Sequence, residues 1–209
     1  MRIFLDTADF EEIKAADKTG LIDGVTTNPT LIKKSGRDPI EVYQDIKDLG
    51  ITDISMEVTG DLNQMIEDGN RLNEMFSEVI TIKVPMTVEG LQACKYFSED
   101  NIRTNVTLVF NAAQAVLAAK AGATYVSPFV GRIDDQGYAG TEVVRSCVDL
   151  LRRTNTQVLA ASIRSTQRVV RCFYSGADVV TMPPGVFWQM YKHVLTDVGL
   201  DIFEKDLIT

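Results

Sequence analysis

Histidine occurs once in the 209 residues, at His193, and cysteine only three times, at Cys94, Cys147 and Cys172. With the cysteines far apart, odd in number and without a Cys-x-x-Cys pair, neither a zinc site nor a disulfide framework is expected. Basic residues are too few and too scattered for a nucleic-acid footprint: 21 Lys and Arg face 29 Asp and Glu, a formal net charge of -8. A local basic pocket for a small anion is still compatible with that balance. No apolar run approaches membrane-spanning length, and Met-Arg-Ile-Phe-Leu-Asp at the start is too short an apolar stretch for a signal peptide. The expectation is a cytoplasmic protein with no membrane or nucleic-acid partner. Also missing is a Gly-x-Gly-x-x-Gly turn after the first apolar run, where Asp6-Thr7-Ala8-Asp9 stands instead. That absence disfavours an open dinucleotide-binding sheet, the second-ranked architecture.

What is present is alternation. Short apolar runs near 2–6, 23–27, 52–58, 79–84, 102–108, 123–128, 157–162 and 178–182 read as strands. Stretches between them, such as 62–77, 87–99, 111–121 and 138–154, carry apolar residues at helical spacing. Gly20, Gly50, Gly122 and Gly176 each precede a strand, as glycines do where a helix ends and the chain turns back. Eight βα units in a chain of this length predict one domain over 1–209, a (β/α)8 (TIM) barrel, with an additional amphipathic helix at 196–208 that covers the barrel or reaches a neighbouring subunit.

In such barrels reactive groups gather at the carboxyl ends of the strands. Lys83, in Val79-Ile80-Thr81-Ile82-Lys83-Val84-Pro85, is a charge inside a β-branched run, and lysine is rarely buried unless paired or used. Asp6, Asn28, Glu57, Asn105, Thr107, Ser127 and Ser162 fall at or near other strand ends, with Arg132 and Arg164 just beyond the sixth and seventh. Each has a bland alternative: Lys83 as a snorkelling strand end, Asp6 as a helix cap, Asn28 as a turn residue, Thr107 as a β-branched filler, the arginines as solvated surface. Together they exceed what a barrel interior needs, because burying such groups unpaired costs about 1–3 kcal/mol each. An amine with the ordinary lysine pKa of about 10.4 is less than about 0.1% neutral at pH 7, so a lysine nucleophile requires burial or electrostatic help. Carboxylates nearby would move the protons of Schiff-base chemistry, and the guanidinium fork suits phosphate.

At these residues the chain resembles the transaldolase family, in its short-chain microbial branch, together with the related fructose-6-phosphate aldolases. The matching segments are Phe4-Leu5-Asp6-Thr7-Ala8, Gly24-Val25-Thr26-Thr27-Asn28-Pro29-Thr30-Leu31, Ile82-Lys83-Val84-Pro85-Met86-Thr87, Thr104-Asn105-Val106-Thr107-Leu108-Val109-Phe110, Ser127-Pro128-Phe129-Val130-Gly131-Arg132 and Ala160-Ala161-Ser162-Ile163-Arg164. The resemblance implies a transferase with no metal and no cofactor. Lys83 would form a Schiff base with a ketose phosphate, sedoheptulose 7-phosphate or fructose 6-phosphate. A dihydroxyacetone unit would pass to glyceraldehyde 3-phosphate or erythrose 4-phosphate, as in the pentose phosphate pathway.

By position, Asp6 would be the acid/base, and Glu57 with Thr107 would hold a catalytic water. Asn28 and Asn105 would bind the dihydroxyacetone part, Ser127 would line the substrate site, and Arg132, Ser162 and Arg164 would hold phosphate. Glu57 and Phe129 resemble transaldolase, whereas the aldolases carry Gln and Tyr there. An aldolase releasing free dihydroxyacetone ranks second, and a non-catalytic sugar-phosphate-binding barrel third. Lys192-His193-Val194-Leu195-Thr196-Asp197 and Met182-Pro183-Pro184-Gly185 depart from the family pattern, near the segment that would shape subunit packing. The branch implies a homo-oligomer, a ring-like pentamer or decamer.

Overall fold

A computed structural model describes residues 1–208. Its elements run β1 (Arg2–Asp6), α1 (Phe10–Asp17), β2 (Gly24–Thr26), α2 (Pro29–Ser35), α3 (Pro39–Asp48), β3 (Ile54–Glu57), α4 (Leu62–Phe76), β4 (Ile80–Pro85) and α5 (Val88–Glu99). They continue with β5 (Thr104–Val109), α6 (Ala112–Lys120), β6 (Tyr125–Pro128), α7 (Val130–Asp135), α8 (Gly140–Leu151), β7 (Gln157–Ala160), α9 (Thr166–Tyr174), β8 (Val179–Met182), α10 (Pro184–Gln189) and α11 (Val194–Ile208). All eight strands are parallel, and β8 pairs with β1 to close the barrel. This is the expected (β/α)8 barrel with a C-terminal helix.

Local sequence explains the regular alternation. Many helices start on a short polar cap just past a strand: Asp9, Asn28, Asp61, Thr87, Asn111 and Ser165 each accept a hydrogen bond from a backbone N–H in the first turn. The far ends turn on Gly20, Gly50, Gly122 and Gly176, whose φ values of 68°, 92°, 86° and 95° lie in the left-handed region. Between caps, α4 buries Met65, Gly69, Leu72 and Phe76 at helical spacing against the sheet, while its polar residues face out.

The barrel is plugged at the amino-terminal end of its strands by a buried carboxylate. Asp53 accepts hydrogen bonds from Thr81 (2.8 Å) and Tyr125 (2.7 Å), and Arg103 and Arg2 approach it at 3.4 and 3.8 Å. Burial, and then the neighbouring Asp53 charge, push the Tyr125 phenol up to about 12, so it stays a donor. Above this plug, Phe4, Tyr125, Leu159 and Val179 form a small apolar cluster. That layer separates the Asp53 network from the polar groups at the carboxyl end.

Two boundaries differ from the pattern-based reading. The segment after β6 that carries Arg132, assigned to none of the helical stretches, contains the short helix α7. The last helix begins at Val194 rather than 196, because His193 starts it: its Nδ1 accepts from the Leu195 N–H at 3.2 Å and its carbonyl from Thr196 at 3.0 Å. Nor is α11 apolar on one face alone. Val194, Leu195, Val198 and Ile202 form one stripe and Leu200, Phe203 and Leu207 another, all exposed. Among the described residues no helix is long and apolar enough to cross a membrane.

Candidate active site

Parallel register sets Glu57, Lys83 and Asn105 side by side on β3, β4 and β5. Lys83 is 5% exposed. Its Nζ donates to the Thr27 carbonyl at 2.8 Å and lies 3.0 Å from Glu57 Oε2. The lysine therefore does not snorkel; the barrel interior satisfies it.

Asn105 is clamped from both sides. Its amide nitrogen donates to Ser55 Oγ (3.1 Å), and its oxygen accepts from the Ser127 hydroxyl at 2.6 Å. Two residues on, Thr107 points to the same side of β5, and its hydroxyl is buried with no hydrogen-bond partner. Immediately after it the β5–β6 register shifts, with Leu108 at φ 60°. This bulge ends the regular interior alternation at the level of Thr107.

Asp6 lies opposite Thr26 on β2 and accepts its hydroxyl proton at 2.9 Å. Asp9, not Asp6, caps α1, so the helix-cap alternative for Asp6 does not hold. Burial raises the Asp6 carboxyl above the usual carboxylate range, opposed by the Lys83 charge, the Thr26 hydrogen bond and the more distant Arg132. Asn28 does cap α2, its oxygen accepting from the Leu31 N–H at 3.0 Å. That leaves its amide nitrogen as the group it can offer a ligand.

These side chains surround a cavity of about 100 Å³ at the carboxyl end of the barrel. Every residue of the candidate set lines it except Glu57 and Arg164. Glu57 reaches it through Lys83, and its other side lines a cleft of about 430 Å³ beside Tyr43 on α3. At the mouth, the Arg132 guanidinium stacks over the Phe129 ring at 5.0 Å and makes no ion pair with any described residue. Ser162 sits at φ 59°, uncommon for a residue with a Cβ, and its carbonyl accepts from the Gly131 N–H at 3.0 Å. A Cβ on Gly131 would come within 2.3 Å of that carbonyl and 2.8 Å of Arg164 Nε, so only glycine fits this crossing. Arg164 itself is turned outward, 55% exposed, its fork closed on the Asp135 carboxylate.

Three polar residues outside the predicted set, Ser55, Thr26 and Thr181, support this wall. Ser55 orients Asn105, and Thr181 on β8 lines the cavity with its hydroxyl 2.7 Å from that of Thr26. Thr181 sits in Val179-Val180-Thr181-Met182, where it reads as a strand filler; its position at the end of the eighth strand was the available signal. No group of three or more His, Cys, Asp or Glu side chains is disposed to hold a metal ion among the described residues.

Comparison with known proteins agrees with this geometry. The family model described as transaldolase/fructose-6-phosphate aldolase matches residues 3–207. A protein named "probable transaldolase" from Caulobacter vibrioides is 49% identical over 99% of this chain and 96% of its own length. Proteins with the same name from Clostridioides difficile and Nitrosopumilus maritimus are 48% and 45% identical, each over 99% of this chain and over 96% and 94% of their own lengths.

Proposed function

The chain belongs to the transaldolase/fructose-6-phosphate aldolase family, and from that premise we propose that it is a transaldolase moving a dihydroxyacetone unit between sugar phosphates through an imine on Lys83. The observation that carries this reading is a buried amine 3.0 Å from a carboxylate, beside a cavity into which a hydroxyl without a partner also faces.

In the proposed sequence the Lys83 amine adds to the C2 carbonyl of the ketose phosphate, and the carbinolamine loses water to give the imine. A water held between Glu57 and Thr107 carries the protons of that dehydration. The Asp6 carboxylate then takes the proton of the C4 hydroxyl while the C3–C4 bond breaks. An aldose phosphate leaves, and its electron pair stays on the lysine-bound three-carbon enamine. An acceptor aldehyde enters, the enamine carbon attacks it, and Asp6 returns the proton to the new hydroxyl. Hydrolysis frees the product and the amine. Asn28, Asn105 and Ser127 hold the hydroxyls of the three-carbon unit, and Arg132 with Ser162 takes the phosphate, Arg164 contributing once its fork leaves Asp135. Substrates of this class are sedoheptulose 7-phosphate or fructose 6-phosphate as donor and glyceraldehyde 3-phosphate or erythrose 4-phosphate as acceptor, which fits a cytoplasmic pentose phosphate enzyme.

Phe129 favours transfer over cleavage, because a phenyl ring has no proton to deliver to the enamine whereas a phenol would. Fructose 6-phosphate is expected to turn over quickly only when erythrose 4-phosphate is supplied, with glyceraldehyde 3-phosphate appearing in equal amount. Rapid release of free dihydroxyacetone without acceptor would instead identify an aldolase, and binding without turnover a non-catalytic barrel.

We also propose a homo-oligomer, a pentamer or decamer, supported by the two exposed apolar stripes of α11. Light scattering on the eluting protein is expected to give a multiple of the chain mass, reduced by Phe203→Asp combined with Leu207→Asp. A monomer at all concentrations would remove this proposal.

A further inference from the structure

We propose that Thr181 is a positioning residue for Asp6, acting through Thr26 in a hydrogen-bonded series that crosses the seam where the barrel closes. Thr181 pairs with Phe4 along the β8–β1 ladder, yet its hydroxyl passes inside the barrel to Thr26 on β2, 2.7 Å away. Thr26 in turn lies 2.9 Å from Asp6 Oδ1. Both threonines are 2% exposed and line the cavity, so water does not replace either bond freely.

The order of donors follows from proton counting. A carboxylate has no proton to give, so the single hydroxyl proton of Thr26 goes to Asp6. Thr26 then has only lone pairs for its other neighbour, and Thr181 must donate to it. The series points one way, Thr181 to Thr26 to Asp6, and each donor polarises the next. Both side chains are β-branched and stiff at χ1, which keeps the three oxygens in line as substrate enters. Loss of the Thr181 hydroxyl frees the Thr26 rotor and weakens its hold on the carboxylate.

Charged groups facing Asp6 are Lys83 from β4 and Arg132 from α7, both favouring the carboxylate. The elements packed against β1, namely β2, β8 and α10, carry none. Against the burial that disfavours ionisation, the hydroxyl series is thus the uncharged support of Asp6. The proposal rests on the acid/base role given to Asp6 above.

The test is done on the full chain by carbon-13 NMR titration of the aspartate carboxyls, with Asp6→Asn identifying the Asp6 signal, and by the pH dependence of kcat/KM. Asp6 must be ionised to accept the hydroxyl proton, so the rate rises with pH through its titration. Thr181→Val is expected to move the Asp6 titration upward by about half a pH unit to one unit, and the acid limb of kcat/KM by the same amount. Thr181→Ser, which keeps the hydroxyl, should return both. Thr26→Val should move both further, and Thr181→Ala decides the matter if Thr181→Val does not fold. An Asp6 titration that stays in place, or a uniform rate loss with an unmoved limb, overturns the proposal. A titration that moves as expected in a protein without transaldolase turnover supports the hydroxyl series and removes the proposed reaction instead.

Discussion

Lys83→Met is expected to lower transaldolase turnover by at least about 10³-fold, because the covalent route has no second amine to use. Borohydride added during turnover of fructose 6-phosphate should leave a three-carbon mass increment on the Lys83 peptide in the native chain and none in the variant. The structure adds a second expectation. Lys83 and Glu57 are a buried pair, with 6% and 11% of their side chains exposed, so removing the ammonium alone strands a carboxylate. A cost on the order of 3 kcal/mol is expected in urea unfolding, moderated where Glu57 meets the side cleft. Adding Glu57→Gln should recover most of that stability and none of the activity. An increment that maps to another residue, or full activity in Lys83→Met, would falsify the Schiff-base reading.

Thr107→Val is expected to separate activity from stability. The substitution keeps shape and removes a buried hydroxyl that bonds to nothing in the folded chain. Stability should change by less than about 1 kcal/mol, since the hydroxyl bonds to no other protein group and the swap keeps the side chain's volume. Turnover should fall about 10²-fold, since the proposed water loses one of its two holders. Calorimetry and initial rates on the same preparation would read the two effects separately. A variant with native stability and native turnover would make Thr107 a β-branched filler after all.

How much of this was legible in the residues depends on range. The eight apolar runs lie within about two residues of the observed strands through most of the ring. Capping residues and glycines are local signals too, which is why Gly20, Gly50, Gly122 and Gly176 read correctly as turns. Lys83, Asp6, Asn105 and Thr107 could be grouped because a barrel brings all strand ends to one rim. Pairings between distant elements were not legible. Nothing near Arg164 in the chain signals that Asp135, 29 residues earlier, closes its fork. Asp53 likewise falls in the run 52–58 with nothing to mark it, and its burial beneath Arg2, Arg103 and Tyr125 appears only once the register is known. The start of α11 was missed because a histidine cap is weaker as a signal than Ser, Thr, Asp or Asn.

Closure of β8 on β1 has a consequence for when this chain first becomes reactive during its synthesis. Asp6 and Thr26 are among the earliest residues made and lie on adjacent strands, whereas Thr181, among the later ones, reaches Thr26 only once β8 closes on β1. A chain halted between β6 and β8 holds the amine, its carboxylate and the asparagine clamp on β3 to β6, yet lacks the wall that closes the cavity. Partially made chains are thus expected to be chemically quiet, and the last strand to dock acts as the signal that the catalyst is complete.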